Sequence, residues 1–393
     1  MGKTSSIWPY VSNREKVIIN EVLKSNKLNF WTGENCKTFE NNFRKFFKRK
    51  FAITLNSGSV ALDIAIKSLG LNNRSEVIVT PRSYISSASC VLNNNLKPVF
   101  SDVSIETQNI DLNSIKKKVS KRTKAIIVVH LGGMPSNIIE IMKFAKRRNI
   151  KVIEDCSQAH GAKVKNKYVG SFGDIAIWSF CNDKIMNTLG EGGMLCTNNK
   201  KIYQNAWSLR DCGKNILSVR KINKKDFKFK WLHDFNGSNY RMTEIQAAIG
   251  NFQLKMLPFW VKKRNEYANK IKKIVKNYKF VSVFNYNKNY INAYYRLYIL
   301  INQNYLKKNW STEKIINKLN KKKILCNFGA CPLIYKEKVF LKKGYKLYLK
   351  NAESLNNNTI SFTIHPNLKS DYFKHLKKEL NKIFKKAEKN NVK

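Results

Sequence analysis

The sequence predicts an α/β protein built on a mainly parallel sheet that lies between helices. Short apolar runs rich in β-branched residues alternate with helical patterns over residues 1–255. This alternation is typical of a doubly wound parallel sheet. Beyond about residue 276 the chain becomes more polar and richer in asparagine. We therefore expect a large domain over 1–255, which includes N-terminal helices, and a small C-terminal α+β domain over 256–393.

The composition is that of a folded protein with a sizeable core. The chain has 393 residues, of which 43% are hydrophobic and 12% aromatic. No apolar run approaches the ~20 residues that cross a bilayer, and the first ten residues lack the apolar segment of a signal peptide. The eight cysteines form no Cys-x-x-Cys pair. We expect reduced cysteines, a cytoplasmic location and no metal site.

The net charge of +48, from 74 basic and 26 acidic residues, is the most unusual feature of the composition. An excess of this size is typical of proteins that bind nucleic acid or anionic membranes. Lysine is nevertheless spread along the whole chain together with asparagine and isoleucine, as in segment 316–323. We expect some attraction for anionic substrates and neither a nucleic-acid nor a membrane partner. Nucleic-acid binding is the less favoured alternative.

The expected elements follow from hydrophobic period and from turn residues. The predicted strands of the large domain cover 51–55, 76–81, 98–102, 125–130, 152–155, 175–178 and 194–197. The predicted helices cover 14–24, 36–48, 60–69, 138–148 and 202–210, with a further helix beginning around 82–88. Residues 211–233 are predicted to form a flexible loop. Asn239 is expected to cap the next helix, whose pattern resumes after Pro258. The small domain is expected to contain strands over 294–301 and 359–364 and helices over 312–319 and 372–386.

The turn that follows the first predicted strand has the features of an anion site. Asn56-Ser57-Gly58-Ser59 stands immediately before a helical pattern. A helix start offers unpaired N–H groups and a partial positive charge, and Gly58 lets a phosphate approach the backbone. Ser57 and Ser59 have a second interpretation, since serine is also a common N-cap.

Asp155 ends a predicted parallel strand, which is where such sheets bind their ligands. It is followed by Cys-Ser-Gln158-Ala-His160-Gly161. An aspartate in this place is often an N-cap. Its functional interpretation is a carboxylate that pairs with a pyridinium nitrogen and keeps that ring a good electron sink.

The stretch 179–193 joins two apolar runs and carries one lysine, Lys184, ahead of a Gly-Glu-Gly-Gly turn. A lysine on a loop between buried strands is expected to be partly desolvated, and desolvation disfavours the ammonium form. Such an amine is able to form a Schiff base. Most lysines of this chain are surface charges, so the interpretation depends on the motifs around it.

Taken together in this order, the motifs resemble those of the DegT/StrS-type sugar-nucleotide aminotransferases, which are fold-type I pyridoxal-phosphate (PLP) enzymes. The resemblance covers about 30–260 and continues more weakly to the C-terminus. It comprises the small-residue turn, the Asp-x-x-Gln-x-His-Gly run, the Ser-Phe-x-x-x-Lys run with its glycine turn, and Asn-Tyr-Arg-Met at 239–242.

The resemblance implies a role for each matched residue. Lys184 would form the Schiff base with PLP, and Asp155 would pair with its pyridine nitrogen. Gln158 would lie near the ring hydroxyl and Tyr84 would stack on the ring. The implied phosphate site consists of Ser57, Gly58, Ser59 and Ser179, with Asn239 reaching across a homodimer to the partner's cofactor. His160 and Arg241 match motif positions that we interpret as supporting.

The resemblance also implies a reaction. A lysine at position 184 favours transamination, because relatives with histidine there are sugar 3-dehydratases. We expect an amino group to pass from L-glutamate to a nucleotide-linked keto-sugar, most often at C4 of a 4-keto-6-deoxyhexose, for O-antigen, capsule or another surface glycan. The alternatives are a non-catalytic or regulatory relative and, less favoured, a nucleic-acid-binding protein.

Overall fold

A computed structural model describes residues 8–221, 230–284, 289–329 and 331–389. The strands are β1 Phe51–Leu55, β2 Glu76–Val79, β3 Lys97–Phe100, β4 Thr123–Val129, β5 Lys151–Asp155, β6 Lys163–Val164, β7 Lys167–Tyr168, β8 Ile175–Ser179, β9 Gly193–Thr197, β10 Val281–Val283, β11 Tyr290–Ile291, β12 Arg296–Ile301, β13 Cys326–Asn327 and β14 Thr359–Thr363. The α-helices are α1 Asn13–Lys24, α2 Asn35–Phe46, α3 Gly58–Ser68, α4 Ser86–Asn93, α5 Leu112–Lys118, α6 Ile138–Arg147, α7 Lys200–Arg210, α8 Ile216–Arg220, α9 Glu244–Val275, α10 Thr312–Lys321, α11 Lys338–Leu341, α12 Lys350–Asn358 and α13 Ser370–Ala387.

A seven-stranded sheet with the order β1-β9-β8-β5-β4-β2-β3 forms the centre of the molecule. Its neighbours from β8 to β3 pair in parallel, while β9 runs antiparallel to both β1 and β8. The strands are buried on both faces, as in the fully buried runs of β2 and β8, which explains their continuous apolar sequences. The predicted α/β class with a mainly parallel sheet is confirmed.

A second, antiparallel sheet has the order β10-β12-β14-β13 and lies within residues 281–363. Helices α10 and α13 pack beside it, and the buried residues around it form a separate apolar cluster. The domain boundary expected between residues 255 and 256 falls inside α9. That boundary stays a prediction.

An aromatic cluster fixes helix α2 on the strand that leads to the lysine loop. Phe39, Phe43 and Phe47 are fully buried. The ring of Phe43 lies 4.9 Å from that of Trp178 in β8 and 5.8 Å from that of Phe180. Large aromatic contacts of this kind contribute strongly to core stability. They therefore anchor the residues immediately before Lys184.

Two expectations about α9 are wrong. Its N-cap is Thr243 rather than Asn239: the Thr243 side chain and Gln246 form a reciprocal capping box, which satisfies two unpaired N–H groups at the helix start. The helix also continues through Pro258 to Val275 without a break. Proline removes one helical hydrogen bond, but residues buried on both sides, such as Leu254 and Val261, hold the two halves against the core.

The expectation of one irregular loop over 211–233 is wrong in part. Residues 216–220 form α8, whose first turn is capped by the Asn215 side chain. Residues 222–229 lie outside the described residues. All eight cysteines are unpaired, and all except Cys181 and Cys212 are buried. Among the described residues, none of the helices is long and apolar enough to span a membrane.

Candidate active site

A cavity of about 610 Å³ opens at the carboxyl ends of β5 and β8 and at the first turn of α3. It has a volume suited to a small organic cofactor together with part of a substrate. Its walls contain all the sequence-predicted site residues except Asn239, namely Ser57, Gly58, Ser59, Tyr84, Asp155, Gln158, Ser179 and Lys184. Residues from the second sheet and its loops close the far side, namely Tyr295, Arg296, Asn327, Gly329 and Cys331.

The first turn of α3 lines the cavity with Ser57, Gly58 and Ser59. Ser57 has an extended backbone and its hydroxyl accepts from the N–H of Val60 at 3.2 Å, so it is an N-cap as well as a cavity residue. A β-carbon on Gly58 would overlap the side chain of Ser179. A glycine is therefore required for the helix start to approach β8. The free N–H groups of α3 lie where an anion is stabilised.

Asp155 is the last residue of β5 and is almost fully buried at 4% exposure. The Ser87 hydroxyl donates to Oδ2 at 3.0 Å, and the N–H of Ser157 donates to Oδ1 at 3.0 Å. A turn rather than a helix follows it. The capping alternative is therefore wrong, and the carboxylate is held by two donors at the edge of the cavity.

Gln158 and Tyr84 differ in how firmly the protein holds their side chains. The side-chain oxygen of Gln158 accepts from the N–H of Gly132 at 2.7 Å, and its amide nitrogen lies 3.6 Å from Sγ of Cys331. Tyr84 stands just before α4 and is 63% exposed. The amide is thus fixed by the protein, whereas the aromatic ring is free to pack against a ligand.

Lys184 is largely buried, with a side-chain exposure of 16%. Its Nζ lies 2.9 Å from Oδ1 of Asp183 and 5.0 Å from the centre of the Tyr295 ring. Burial lowers the pKa of Lys184, but the Tyr295 and Asp183 oxygens outweigh burial and hold it above its ordinary value. The expectation that desolvation favours the free amine is therefore wrong, because the Asp183 carboxylate contacts the amine and favours its ammonium form.

Three further motif residues do not line the cavity. His160 is fully buried, and burial followed by the charge of Lys184 lowers its pKa to about 3, so the ring is neutral. It lies beside Phe180 under the lysine loop. Arg241 forms an ion pair with the buried Asp211. Asn239 is exposed, and its side chain accepts from the N–H of Arg241 at 3.4 Å.

Sequence reasoning missed several residues that surround Lys184. The indole N–H of Trp8 donates to the carbonyl oxygen of Lys184 at 3.2 Å. Tyr295 and Arg296 approach from the start of β12, more than a hundred residues later in the chain. Contacts of this range leave no periodic or spacing signal in a single sequence. Among these residues, only Asp183 could have been identified from the sequence, because it is adjacent to Lys184.

A buried cluster of His130, Glu154 and Cys156 offers three metal-ligating atoms within 4.8 Å of one another. The Glu154 carboxylate already accepts from the N–H groups of Gly170, Phe172 and Gly173 at 2.6–2.8 Å. It also contacts the Nε2 atom of His130 at 3.2 Å. These contacts occupy the carboxylate, so the cluster stabilises the turn before β8 and needs no ion.

A model of the DegT/DnrJ/EryC1/StrS aminotransferase family matches residues 9–381. The chain belongs to this family. GDP-perosamine synthase of Escherichia coli O157:H7 is 37% identical over 292 residues, which are 74% of this chain and 76% of that enzyme.

Solved structures give the same result. An aminotransferase from Psychrobacter cryohalolentis superposes with a TM-score of 0.93 at 38% identity, over 97% of this chain and 98% of that one. E. coli GDP-4-keto-6-deoxy-D-mannose-3-dehydratase with bound hydrated PLP superposes with a TM-score of 0.85 at 27% identity, over 96% and 98%. The fold is that of fold-type I PLP enzymes, and the chain is a PLP-dependent sugar-nucleotide aminotransferase.

The residues present fit PLP. The first turn of α3, which Ser179 approaches closely because residue 58 is glycine, would hold the phosphate. Asp155 would supply a buried carboxylate for the ring nitrogen, and Lys184 would supply an amine in the same cavity.

Proposed function

We propose that the enzyme transfers the amino group of L-glutamate to a nucleotide-linked keto-sugar, most simply a 4-keto-6-deoxyhexose. The product would feed an O-antigen, a capsule or another surface glycan, and the enzyme would act in the cytoplasm. The E. coli relative is a GDP-perosamine synthase, which supports a nucleotide-linked sugar as acceptor. The observation that carries the proposal is the meeting of Lys184, Asp155 and the first turn of α3 in one cavity.

Each of these three parts has a distinct task in the proposed reaction. PLP, when bound, draws electrons from the Cα of an attached amino acid and so makes that carbon acidic. Asp155 keeps the ring nitrogen protonated, which maintains this effect. The Nζ atom of Lys184 carries the proton between Cα and the cofactor as a general acid and base. The N–H groups of α3, with Ser59 and Ser179, hold the phosphate.

The charge of the protein suits an anionic acceptor. A sugar nucleotide carries a diphosphate, and the +48 net charge attracts such a substrate over long range. This supports the class of acceptor without selecting a base or a sugar, since one fold accommodates many substrates.

Asn239 supports a homodimer with shared sites. It is exposed, and it does not belong to the cavity of its own chain. Its family motif position implies contact with the phosphate of the partner's cofactor. We therefore include two equivalent sites per dimer, each completed by Asn239 of the other subunit.

Other functions would leave different evidence. A sugar 3-dehydratase is disfavoured because residue 184 is lysine rather than histidine. A regulatory relative would have no need of the paired Asp155 and Lys184. Nucleic-acid binding would depend steeply on salt, because it releases counterions.

Spectroscopy of the purified protein tests the proposal. With PLP supplied, the protein should be yellow, and L-glutamate alone should bleach the colour and yield 2-oxoglutarate. Adding a nucleotide-linked keto-sugar should then restore the colour and yield an amino sugar. A panel of such sugars with different bases identifies the acceptor. A protein that stays colourless with PLP, or a colour that glutamate leaves unchanged, would rule the proposal out.

A further inference from the structure

The amine of Lys184 contacts an acid on the adjacent residue. Oδ1 of Asp183 lies 2.9 Å from Nζ of Lys184. The other carboxylate oxygen of Asp183 accepts from the hydroxyl of Tyr295 and lies 3.9 Å from the Arg296 guanidinium. The two oxygens of one carboxylate thus face the catalytic amine on one side and the second sheet on the other.

The partners of Asp183 are themselves held in place. Tyr295 is buried at 5% exposure, and its ring also faces the Lys184 amine. Arg296 begins β12 and donates to the Thr363 hydroxyl at 2.8 Å. Because Thr363 belongs to the paired strand β14, these contacts tie Asp183 to the second sheet as well as to the lysine loop.

The surroundings favour the ionised form of Asp183. Burial raises the pKa of this carboxyl, but the Lys184 ammonium, the Tyr295 hydroxyl and Arg296 outweigh burial and hold it below its usual value. The side chain is still 48% exposed, so water screens part of the interaction. The pair is therefore an ion pair at the edge of the cavity rather than a fully desolvated one.

We propose that Asp183 is a positioning residue for the reaction. Tyr295 and Arg296 orient its carboxylate, which keeps the Nζ atom of Lys184 protonated and fixes the direction in which that atom points. The inference rests on the proposed role of Lys184. It assigns to the small domain a direct influence on the amine that bonds to the cofactor. It also explains why the amine of the cofactor-free chain is kept as an ammonium, which must lose its proton before it attacks.

Other titratable groups face the amine as well. Those around Lys184, besides Asp183, are Cys181, Tyr295, Arg296, His160 and Cys331. His160 is neutral because burial lowers its pKa to about 3, and burial raises the pKa of the Cys331 thiol to about 11. Near neutral pH this leaves Asp183 as the acid that contacts Nζ among the described residues.

The rate of PLP capture tests the proposal. The full-length chain is freed of cofactor, and the covalent uptake of PLP is followed by absorbance from pH 7 to 12, a range that extends above the ordinary pKa of a lysine. Only the unprotonated amine reacts. Asp183→Asn should move the midpoint of the rate profile down by about one unit, at the lower end of the ~1–3 units that an adjacent opposite charge produces. Tyr295→Phe should move it less, in the same direction.

Glu191→Gln is the matched control. Glu191 lines the same cavity but contacts Cys181 rather than the amine, so the midpoint should stay within ~0.3 units, well below the shift of an adjacent charge. Any titration of PLP itself affects the rate profile equally in all variants, so it does not contribute to a difference between their midpoints. An unchanged midpoint in Asp183→Asn, or an equal shift in Glu191→Gln, would overturn the proposal.

A second measurement separates this proposal from the proposed function. After borohydride reduction, peptide mapping shows which lysine carries the cofactor. Labelling of another lysine would refute the role of Lys184 itself, whereas Lys184 labelling with no midpoint shift in Asp183→Asn would refute only the role of Asp183. If Asp183→Asn fails to fold, Tyr295→Phe decides: its midpoint must fall, and an unchanged midpoint overturns the proposal.

Discussion

At the scale of single residues, the cavity brings together the largely buried amine of Lys184 and the buried side chain of Asp155. Lys184 keeps an ammonium because Asp183 and Tyr295 offset the loss of water. Asp155 is held by two donors that satisfy its oxygens without supplying a countercharge. A buried carboxylate of this kind is suited to a cationic ring nitrogen, since ions in low dielectric need a partner.

Replacing Asp155 by asparagine tests this interpretation. The amide is isosteric and retains one acceptor, so the fold and PLP binding should survive. It cannot hold a proton on the ring nitrogen, and we expect kcat to fall by about 10²–10⁴. Ser87→Ala, which removes one donor to Asp155, should have a smaller effect. If Asp155→Asn loses less than about tenfold in steady-state kinetics, Asp155 only shapes its turn.

At the scale of elements, the first turn of α3 has two tasks that substitutions can separate. Ser57 caps the helix and also lines the cavity. Ser57→Asp preserves a good cap but places a negative charge beside the proposed phosphate site. We expect its urea unfolding midpoint to stay near that of the wild type while PLP affinity falls sharply. Equilibrium dialysis against PLP measures the affinity.

Ser57→Ala is the complementary variant to Ser57→Asp. It should lose about 0.5–2 kcal/mol of stability from the missing cap, with a smaller effect on cofactor affinity than Ser57→Asp. Should Ser57→Asp bind PLP as tightly as the wild type, the phosphate does not lie at this turn.

A buried carboxylate links β5 to the turn that precedes β8. Burial raises the pKa of Glu154, but His130, Arg49 and the Gly173 N–H outweigh burial and hold it below its ordinary value of 4.5. A lowered folded pKa adds stability that is present above pH 4.5 and is lost as the pH falls through the folded value. The cluster should therefore make the protein sensitive to acid.

Glu154→Gln tests this linkage. Breaking a buried pair that includes Arg49 should cost about 3–5 kcal/mol at pH 7. The variant should lose less further stability between pH 7 and pH 3 than the wild type does, because it has no carboxyl to protonate below pH 4.5. Urea unfolding at the two pH values gives both quantities. Equal losses in the two proteins would exclude Glu154 as a source of the acid sensitivity.

Elements with strong local signals could be predicted from the sequence, and those decided by distant contacts could not. The strands around Asp155 and Ser179 are continuous apolar runs because both faces are buried. The continuity of α9 through Pro258 depends on packing on either side of the proline, which overrides the local preference. The start of α9 was missed because Thr243 and Gln246 form a capping box that was not recognised.

The same division applies to the site. Lys184, Asp155 and the α3 turn stand in local motifs, and the structure brings them to one cavity. Tyr295 and Arg296 reach it from the second sheet, so their approach follows from tertiary packing alone. The ion pair of Lys184 with Asp183 reverses the pKa direction that desolvation predicts.

At the scale of the whole molecule, the proposed homodimer links cofactor binding to assembly. If Asn239 of one subunit completes the phosphate site of the other, PLP should favour the dimer by mass action. Asn239→Asp would place a carboxylate against that phosphate and should weaken PLP retention during size-exclusion chromatography. Helix α9, which begins after Asn239, should be unaffected because its cap is Thr243. A fully loaded Asn239→Asp protein, or a yellow and active monomer, would contradict the shared site.

The central claim is that Lys184 bonds to the cofactor in this cavity, and one measurement tests it directly. The PLP-loaded protein is reduced with borohydride, digested and mapped by mass spectrometry, with Lys184→Ala and the exposed-lysine variant Lys37→Ala treated in parallel. We predict one labelled peptide, containing Lys184, in the wild type and in Lys37→Ala, and no label in a folded Lys184→Ala protein. A label on a different lysine, or the same label in Lys184→Ala, would contradict the account.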